Sequence, residues 1–181
     1  MKKIFIIYCL LCSGFATFAQ DVQTCRNATF SFYSSAPLED IEAKTTQGVS
    51  AINTATRAIY FKVPINTFQF RKSLMQEHFN ENYLESEKYP HAEFKGKVLD
   101  EVDLKKDGEY AVTVEGDLLM HGVSKTYREK GTITVRNGLV SARSKFNVRV
   151  ADHKIKIPSL VVKNIAEVVE VTVEAVYQLN K

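Results

Sequence analysis

Residues 110–135 read YAVTVEGDLLMHGVSKTYREKGTITV, and this stretch decides the fold class. Its first half alternates between an apolar set and a polar set, namely Tyr110, Val112, Val114, Gly116 and Leu118 against Thr113, Glu115 and Asp117. Its second half places Val123, Tyr127, Ile133 and Val135 opposite polar residues in the same way. A period of two residues is typical of a β-strand with one buried face. Because Gly122 suits a tight turn between the halves, the stretch predicts an antiparallel hairpin.

The same alternation recurs along most of the chain, at residues 30–33, 59–66, 92–98, 140–150 and 169–179. Weaker strands are predicted at residues 41–44 and 49–52. Asp107-Gly108 and Asn137-Gly138 are dipeptides that tolerate the positive φ of two-residue hairpin loops. The count is eight or nine strands in nearly consecutive hairpins. A closed sheet has no exposed edge, so an all-β, antiparallel, up-and-down barrel is the simplest prediction, with a two-sheet sandwich as the alternative.

Residues 71–83 break the alternation and predict one amphipathic helix. Met75, Phe79 and Tyr83 recur at a spacing of four residues, which places them on one helical stripe. Ser73 and Gln76 fit a capping box at the start of the helix. A single helix between strands would plug or cover one mouth of the barrel.

The first nineteen residues form a pattern typical of a secretory signal peptide. A basic start at Lys2 and Lys3 precedes an apolar run, and small residues lead to a predicted cleavage after Ala19. A lipoprotein anchored at Cys12 is the alternative, but large leucines precede that cysteine. We therefore expect a single domain over residues 20–181, located in the periplasm or secreted. No later run is long enough for a transmembrane helix.

Composition and charge limit the classes of binding partner that the sequence predicts. The chain has 181 residues, 25% of them charged, and a formal net charge of +3, which is too small to indicate a nucleic-acid binder. Cleavage would remove Cys9 and Cys12 and leave Cys25 as the one cysteine of the mature chain. An odd cysteine is either a free thiol or an intermolecular link, so an unpaired thiol is expected and a homodimer stays open.

Catalytic motifs are absent from the sequence. It has no Gly-rich phosphate loop and no CxxC, HExxH or GxSxG motif, and we expect no catalytic residue, metal or cofactor. His78 and Glu81 stand three residues apart on the predicted helix, and they leave open a metal site that lacks an evident third ligand. His121 lies at a predicted turn, where its ring either pins the hairpin or contacts a ligand.

Two stretches carry a family resemblance. Residues 61–98 read FKVPINTFQFRKSLMQEHFNENYLESEKYPHAEFKGKV, a strand, a Met-x-x-His-Phe helix, a Tyr-Leu-Glu-Ser-x-Lys-Tyr-Pro segment and a Phe-Lys-Gly strand. Residues 114–125 read VEGDLLMHGVSK, with a Leu-x-x-His-Gly-Val hairpin. In order and spacing, both resemble the YceI family of exported barrel proteins that bind polyisoprenoids or other lipids.

The resemblance implies an eight-stranded, lipocalin-like barrel with the helix at one end and a hydrophobic tunnel inside. The implied partner is a long-chain isoprenoid or acyl lipid, bound without catalysis by a carrier or sequestering protein. The residues expected to line the tunnel are Phe30, Phe32, Ile59, Phe61, Val63, Met75, Phe79, Phe94, Val112, Val114, Leu118, His121, Phe146, Val148, Val171, Val173 and Tyr177. Two alternatives stay open: a barrel filled by its own side chains that serves as a protein-interaction or stress-related scaffold, and an enzyme that acts on lipids or uses metal at His78 and His121.

Overall fold

The computed structural model describes residues 21–35, 40–156 and 167–178. These residues form nine strands: β1 (Val22–Ser34), β2 (Ile41–Asn53), β3 (Ala58–Pro64), β4 (Gln69–Phe70), β5 (His91–Val98), β6 (Gly108–Met120), β7 (Val123–Arg136), β8 (Leu139–Arg149) and β9 (Val168–Gln178). The predicted signal peptide at residues 1–19 and the alternative lipid anchor at Cys12 lie outside the described residues.

The eight long strands close into an antiparallel barrel. Their order is β1-β9-β8-β7-β6-β5-β3-β2, and β1 pairs with β2 to complete the circle. The two-residue strand β4 pairs beside β2 at Ala43 and Lys44. This closure confirms the predicted eight-stranded, lipocalin-like barrel and makes the sandwich alternative wrong.

Two of the three predicted tight turns are present. His121 and Gly122 join β6 to β7 with φ values of 51° and 73°, and Asn137 and Gly138 join β7 to β8 with φ values of 52° and 80°. Positive φ at both central positions gives the turn a twist that matches the strands. The prediction at Asp107-Gly108 is wrong, because Gly108 already begins β6 after a longer connection from β5. The Asp107 carboxylate instead accepts a hydrogen bond from the Asn137 amide at 3.2 Å.

The two weak strands predicted at residues 41–44 and 49–52 are one continuous strand, β2. Its buried positions are odd-numbered at Ala43 and Thr45 but even-numbered from Gly48 to Ile52. A bulge between these groups, where Thr45 pairs with Phe30 and Gly48 with Ala28, shifts the register by one residue. An extra residue in one strand moves the following side chains to the opposite face.

The predicted helix is present but shorter and capped differently. An α-helix, α1 (Ser73–His78), continues into one π-helical turn over Phe79–Tyr83. The N-cap is Lys72 and no side chain caps the helix, so the predicted capping box is wrong. The Gln76 side-chain oxygen instead accepts a hydrogen bond from the Phe70 amide at 3.3 Å. This links the helix to β4.

The two ends of the barrel differ. The helical segment, the β6–β7 turn and a short 3-10 helix at Val150–His153 lie at one end, called here the helical end. The opposite end is closed by buried side chains from five strands, namely Ile52, Val98, Ile133, Val135, Val140 and Tyr177. In the described part of the chain, no helix has the length and apolar character needed to cross a bilayer.

Candidate ligand-binding cavity

The interior of the barrel holds a cavity of about 260 Å³. Its wall is built almost wholly of apolar side chains from the eight long strands and from the helical segment. An engineered apolar cavity of about 150 Å³ is large enough to bind benzene. The cavity here is larger, so the barrel is not filled by its own side chains.

Sixteen of the seventeen residues that the sequence predicts as lining do line this cavity. They are the inward residues of the strands and two residues of the helical segment: Phe30, Phe32, Ile59, Phe61, Val63, Met75, Phe79, Phe94, Val112, Val114, Leu118, Phe146, Val148, Val171, Val173 and Tyr177. The exception, His121, lies apart from the cavity wall.

Other residues near the helical end line the cavity but were not predicted from the sequence, among them Ile41, Phe68, Phe70, Leu84, Met120, Tyr127, Val150 and Ile155. Met120 continues the two-residue alternation beyond Leu118, so that signal could have identified it. Phe68 and Phe70 do not continue the odd-numbered series that ends at Ile65, because a 3-10 turn at Ile65–Thr67 interrupts the strand period. Ile155 lies after a 3-10 helix, where no regular period applies.

Glycines in the barrel wall leave room for the cavity. The ring of Phe94 lies against Gly96 and Gly116, so a Cβ atom on either glycine would collide with that ring. Gly48 stands in the same relation to the ring of Phe30. Because these rings lie against backbone that has no side chain, they take up less of the centre of the barrel.

Four phenylalanines form a cluster at the helical end. Phe79 contacts Phe32, Phe68 and Phe70, with ring centroids 5.4, 5.7 and 5.0 Å apart. Because Phe79 comes from the helical segment and the other rings come from β1, β4 and the turn before β4, the cluster fastens the segment to the barrel. Aromatic pairs of this kind add about 0.5–1.5 kcal/mol beyond the area that they bury.

His121 joins three separate segments at the β6–β7 turn. Its Nδ1–H donates to the carbonyl oxygen of His153 at 3.0 Å, and its Nε2 lies 3.1 Å from Glu85 Oε2. The ring of Tyr89 packs on the imidazole at a centroid distance of 4.6 Å. His121 therefore pins the hairpin to the 3-10 helix and to the segment after the π-helical turn.

His153 is fully buried beneath this turn and forms the second link. Its Nδ1–H donates to the Val123 carbonyl oxygen at 3.1 Å, and its Nε2 accepts from the Tyr127 hydroxyl at 3.0 Å. Burial holds the pKa of His153 below its ordinary value of 6.5. Burial also raises the pKa of Tyr127, and the nearby carboxylates of Asp152 and Glu129 add to that rise. Both effects favour the neutral hydrogen-bonded pair.

At the closed end, one polar pair lies beneath the cavity. Ser50 donates to the carbonyl oxygen of Tyr60 at 2.9 Å, and the Tyr177 hydroxyl lies 2.5 Å from Ser50 Oγ. Since the Ser50 hydroxyl proton is donated to the Tyr60 carbonyl oxygen, the Tyr177 hydroxyl is the donor in the second bond. Burial raises the pKa of Tyr177 to about 12, so this hydroxyl keeps its proton at neutral pH.

His78, Glu81 and Cys25, which the sequence also singled out, lie outside the hydrogen-bond networks described above. His78 and Glu81 are exposed on the helical segment. Within the described residues, no three His, Cys, Asp or Glu side chains are grouped as a metal site requires. Within the described residues Cys25 is a free thiol in β1, and it is only 4% exposed.

Comparison with known proteins adds the family. The sequence model of the YceI-like domain family matches residues 20–177. A polyisoprenoid binding domain from Saccharophagus degradans implicated in plant cell wall breakdown has a TM-score of 0.73 at 14% identity, with 88% of this chain and 99% of that one covered. BcnA of Burkholderia cenocepacia has a TM-score of 0.70 at 11% identity, covering 82% and 95%. The YceI protein of Campylobacter jejuni has a TM-score of 0.57 at 12% identity, covering 83% and 82%.

These comparisons support different conclusions about the chain. No curated protein matches the chain in sequence. Structural likeness at such low identities shows the fold alone. The family match, by contrast, spans nearly the whole chain and includes both stretches that resemble YceI in the sequence. The chain belongs to the family of proteins with a YceI-like domain.

Proposed function

We propose that this protein binds one long apolar lipid tail, of an isoprenoid or a fatty-acyl chain, inside the barrel. The observation that carries the proposal is the apolar cavity of about 260 Å³ in the barrel interior. The description of the Saccharophagus degradans domain as polyisoprenoid binding is consistent with this ligand class.

The wall chemistry supports a hydrocarbon ligand. Removing one CH₂ group from water contributes about 0.8 kcal/mol, so a long tail binds firmly without many polar contacts. The wall provides aromatic and branched aliphatic side chains for such contacts, including Phe61 and Phe146. In this proposal the protein carries or sequesters its lipid and performs no reaction on it.

The proposed place of action is the periplasm, which the protein reaches after cleavage of residues 1–19. The support is the basic, apolar and small-residue pattern that ends at Ala19. A carrier outside the inner membrane would shield a water-insoluble tail between two sites.

A matched pair of substitutions tests the cavity as the binding site. Ala142 lines the cavity, whereas Ala111 is exposed on the outer face of β6. We expect Ala142→Phe to place a ring in the cavity and to weaken binding of a fluorescent prenyl or fatty-acyl probe at least about tenfold, a loss of 1.4 kcal/mol. Ala111→Phe makes the same chemical change outside and should bind like the wild type. Equal affinity of the wild type and both variants would refute the internal site.

A further inference from the structure

The barrel wall has a gap between β7 and β8 near the helical end. The two strands pair only between residues 131–136 and 139–144. Beyond Gly131 and Ser144, residues 123–130 of β7 pair with β6, and residues 145–149 of β8 pair with β9. The last link between β7 and β8 is a hydrogen bond from Ser144 Oγ to the Lys130 carbonyl oxygen at 2.8 Å. The two hairpins separate from that point.

Side chains, not a backbone ladder, border this gap. The rings of Tyr127 and Phe146 meet across it with centroids 6.1 Å apart. His153 fixes Tyr127 from the helical end through the 3.0 Å hydrogen bond. Tyr127, Phe146 and Val148 also line the cavity, so the gap is continuous with the interior.

Glu129 lies on the inner face of β7, two residues before Gly131, where the pairing with β8 begins. It alternates with Tyr127 and Ile133, which point the same way, and it lines the cavity. Across the β6–β7 ladder it is opposite Val114, another lining residue. Among the described residues, none forms a hydrogen bond or ion pair with its carboxylate. A carboxylate that faces an apolar cavity and has no protein partner is free to accept a hydrogen bond from a bound ligand.

The two other charged residues of the wall, Glu93 and Arg143, form ion pairs. Glu93 pairs with Lys62 at 3.1 Å and with Lys95 at 3.6 Å. Arg143 pairs with Glu174 at 3.2 Å. Both residues alternate with the inward residues of their strands, so their charged groups lie on the outer face. Within the described lining, Glu129 is the one charged group on the inner face.

We propose that the polar end of the bound lipid lies at this gap and donates a hydrogen bond to Glu129. This inference rests on the proposed function and narrows its ligand class. A carboxylate only accepts hydrogen bonds, so it pairs with a hydroxyl or ammonium group and repels a carboxylate or phosphate. Like charges placed together with little water cost several kcal/mol. The protein therefore selects lipids with a hydroxyl or ammonium head over anionic lipids with the same tail.

Dodecan-1-ol and dodecanoate test this selection, because they share one chain length and differ in head group. At about pH 7.5 dodecanoate is ionised. Displacement of the neutral fluorophore N-phenyl-1-naphthylamine gives both affinities. We expect the wild type to prefer the alcohol by at least about tenfold, corresponding to 1.4 kcal/mol.

Three variants separate Glu129 from general effects of charge. Glu129→Gln keeps the size and removes the charge, so it should bring the two affinities to within about threefold. Glu129→Lys should reverse the preference in favour of dodecanoate. Glu115→Gln is the control, because Glu115 lies on the outer face of the neighbouring strand and pairs with Arg128 at 3.2 Å. It should keep the wild-type preference.

The outcomes distinguish this inference from the function on which it rests. Equal affinity of the wild type for both ligands, or an unchanged preference in Glu129→Gln, overturns the role of Glu129 and leaves lipid binding intact. Failure of both ligands to displace the probe from the wild type overturns the proposed function and the inference with it.

Discussion

The ring of Phe94 lies against the backbone of Gly116 on the neighbouring strand, and this contact keeps the ring out of the centre of the barrel. The two residues come from β5 and β6, whose register pairs Phe94 with Leu118 and Gly96 with Gly116. A side chain at residue 116 would occupy the space of the ring. The open interior therefore depends on glycine as much as on the size of the barrel.

Gly116→Ala should reduce both stability and binding. The added methyl group collides with Phe94 and with the backbone of β5, so we expect a loss of about 1–3 kcal/mol in the free energy of unfolding. Denaturant unfolding and titration with an apolar probe measure the two effects. Gly108→Ala in the same strand should cost less, because the atoms that it meets belong to the side chain of Tyr110. Gly116→Ala with wild-type stability and affinity would contradict this explanation.

Phe79→Ala should loosen the helical end. The substitution removes three ring contacts, so we expect a loss of about 3 kcal/mol in the free energy of unfolding. The dissociation rate of a bound probe should rise, because the cluster covers one end of the cavity. Stopped-flow release measures that rate. Phe79→Leu retains most of the apolar volume and should lie between the wild type and Phe79→Ala in both measurements.

His153 should make stability depend on pH below neutrality. Its pKa in the folded protein is lower than 6.5, so the unfolded chain takes up a proton first as the pH falls. The stability that His153 contributes is therefore complete above about pH 7 and is lost below about pH 6.5, at up to about 1.4 kcal/mol per pH unit. The difference in unfolding free energy between the wild type and His153→Gln isolates this effect. A difference that stays constant from about pH 7.5 to about pH 5.5 would count against it.

Ser50→Ala should cost more than Tyr177→Phe, although each removes the same hydrogen bond. Ser50→Ala leaves the buried Tyr177 hydroxyl without its acceptor, which costs about 1–3 kcal/mol. Tyr177→Phe removes the donor and leaves the bond from Ser50 to the Tyr60 carbonyl oxygen in place. Unfolding free energies of both variants test the order, and the reverse order would show that Ser50 is the donor to Tyr177.

Alternation predicts the barrel and most of its cavity because a closed sheet requires one face of every strand to point inward. The same rule assigns Val112, Phe146 and Val173 to the wall without knowledge of the strand order. It fails where the period changes. The bulge in β2 makes one strand resemble two, and the turn at His121 gives its side chain no assigned face.

Contacts between segments that meet only in the folded barrel could not be predicted from the sequence. Gln76 binds the Phe70 amide, not its own helix, because β4 lies beside the helix start. The gap beside Glu129 depends on where the pairing of β7 and β8 ends, and the charge pattern of β7 alone does not mark that point. Glu129 therefore looks like one more surface glutamate in the sequence.

Native mass spectrometry of the protein purified without detergent tests the central claim most directly. The account predicts a species heavier than the polypeptide by the mass of one lipid, or one-to-one uptake of an added prenyl or fatty-acyl probe that Ala142→Phe reduces. A spectrum that contains only the mass of the polypeptide, before and after addition of such probes, would contradict it.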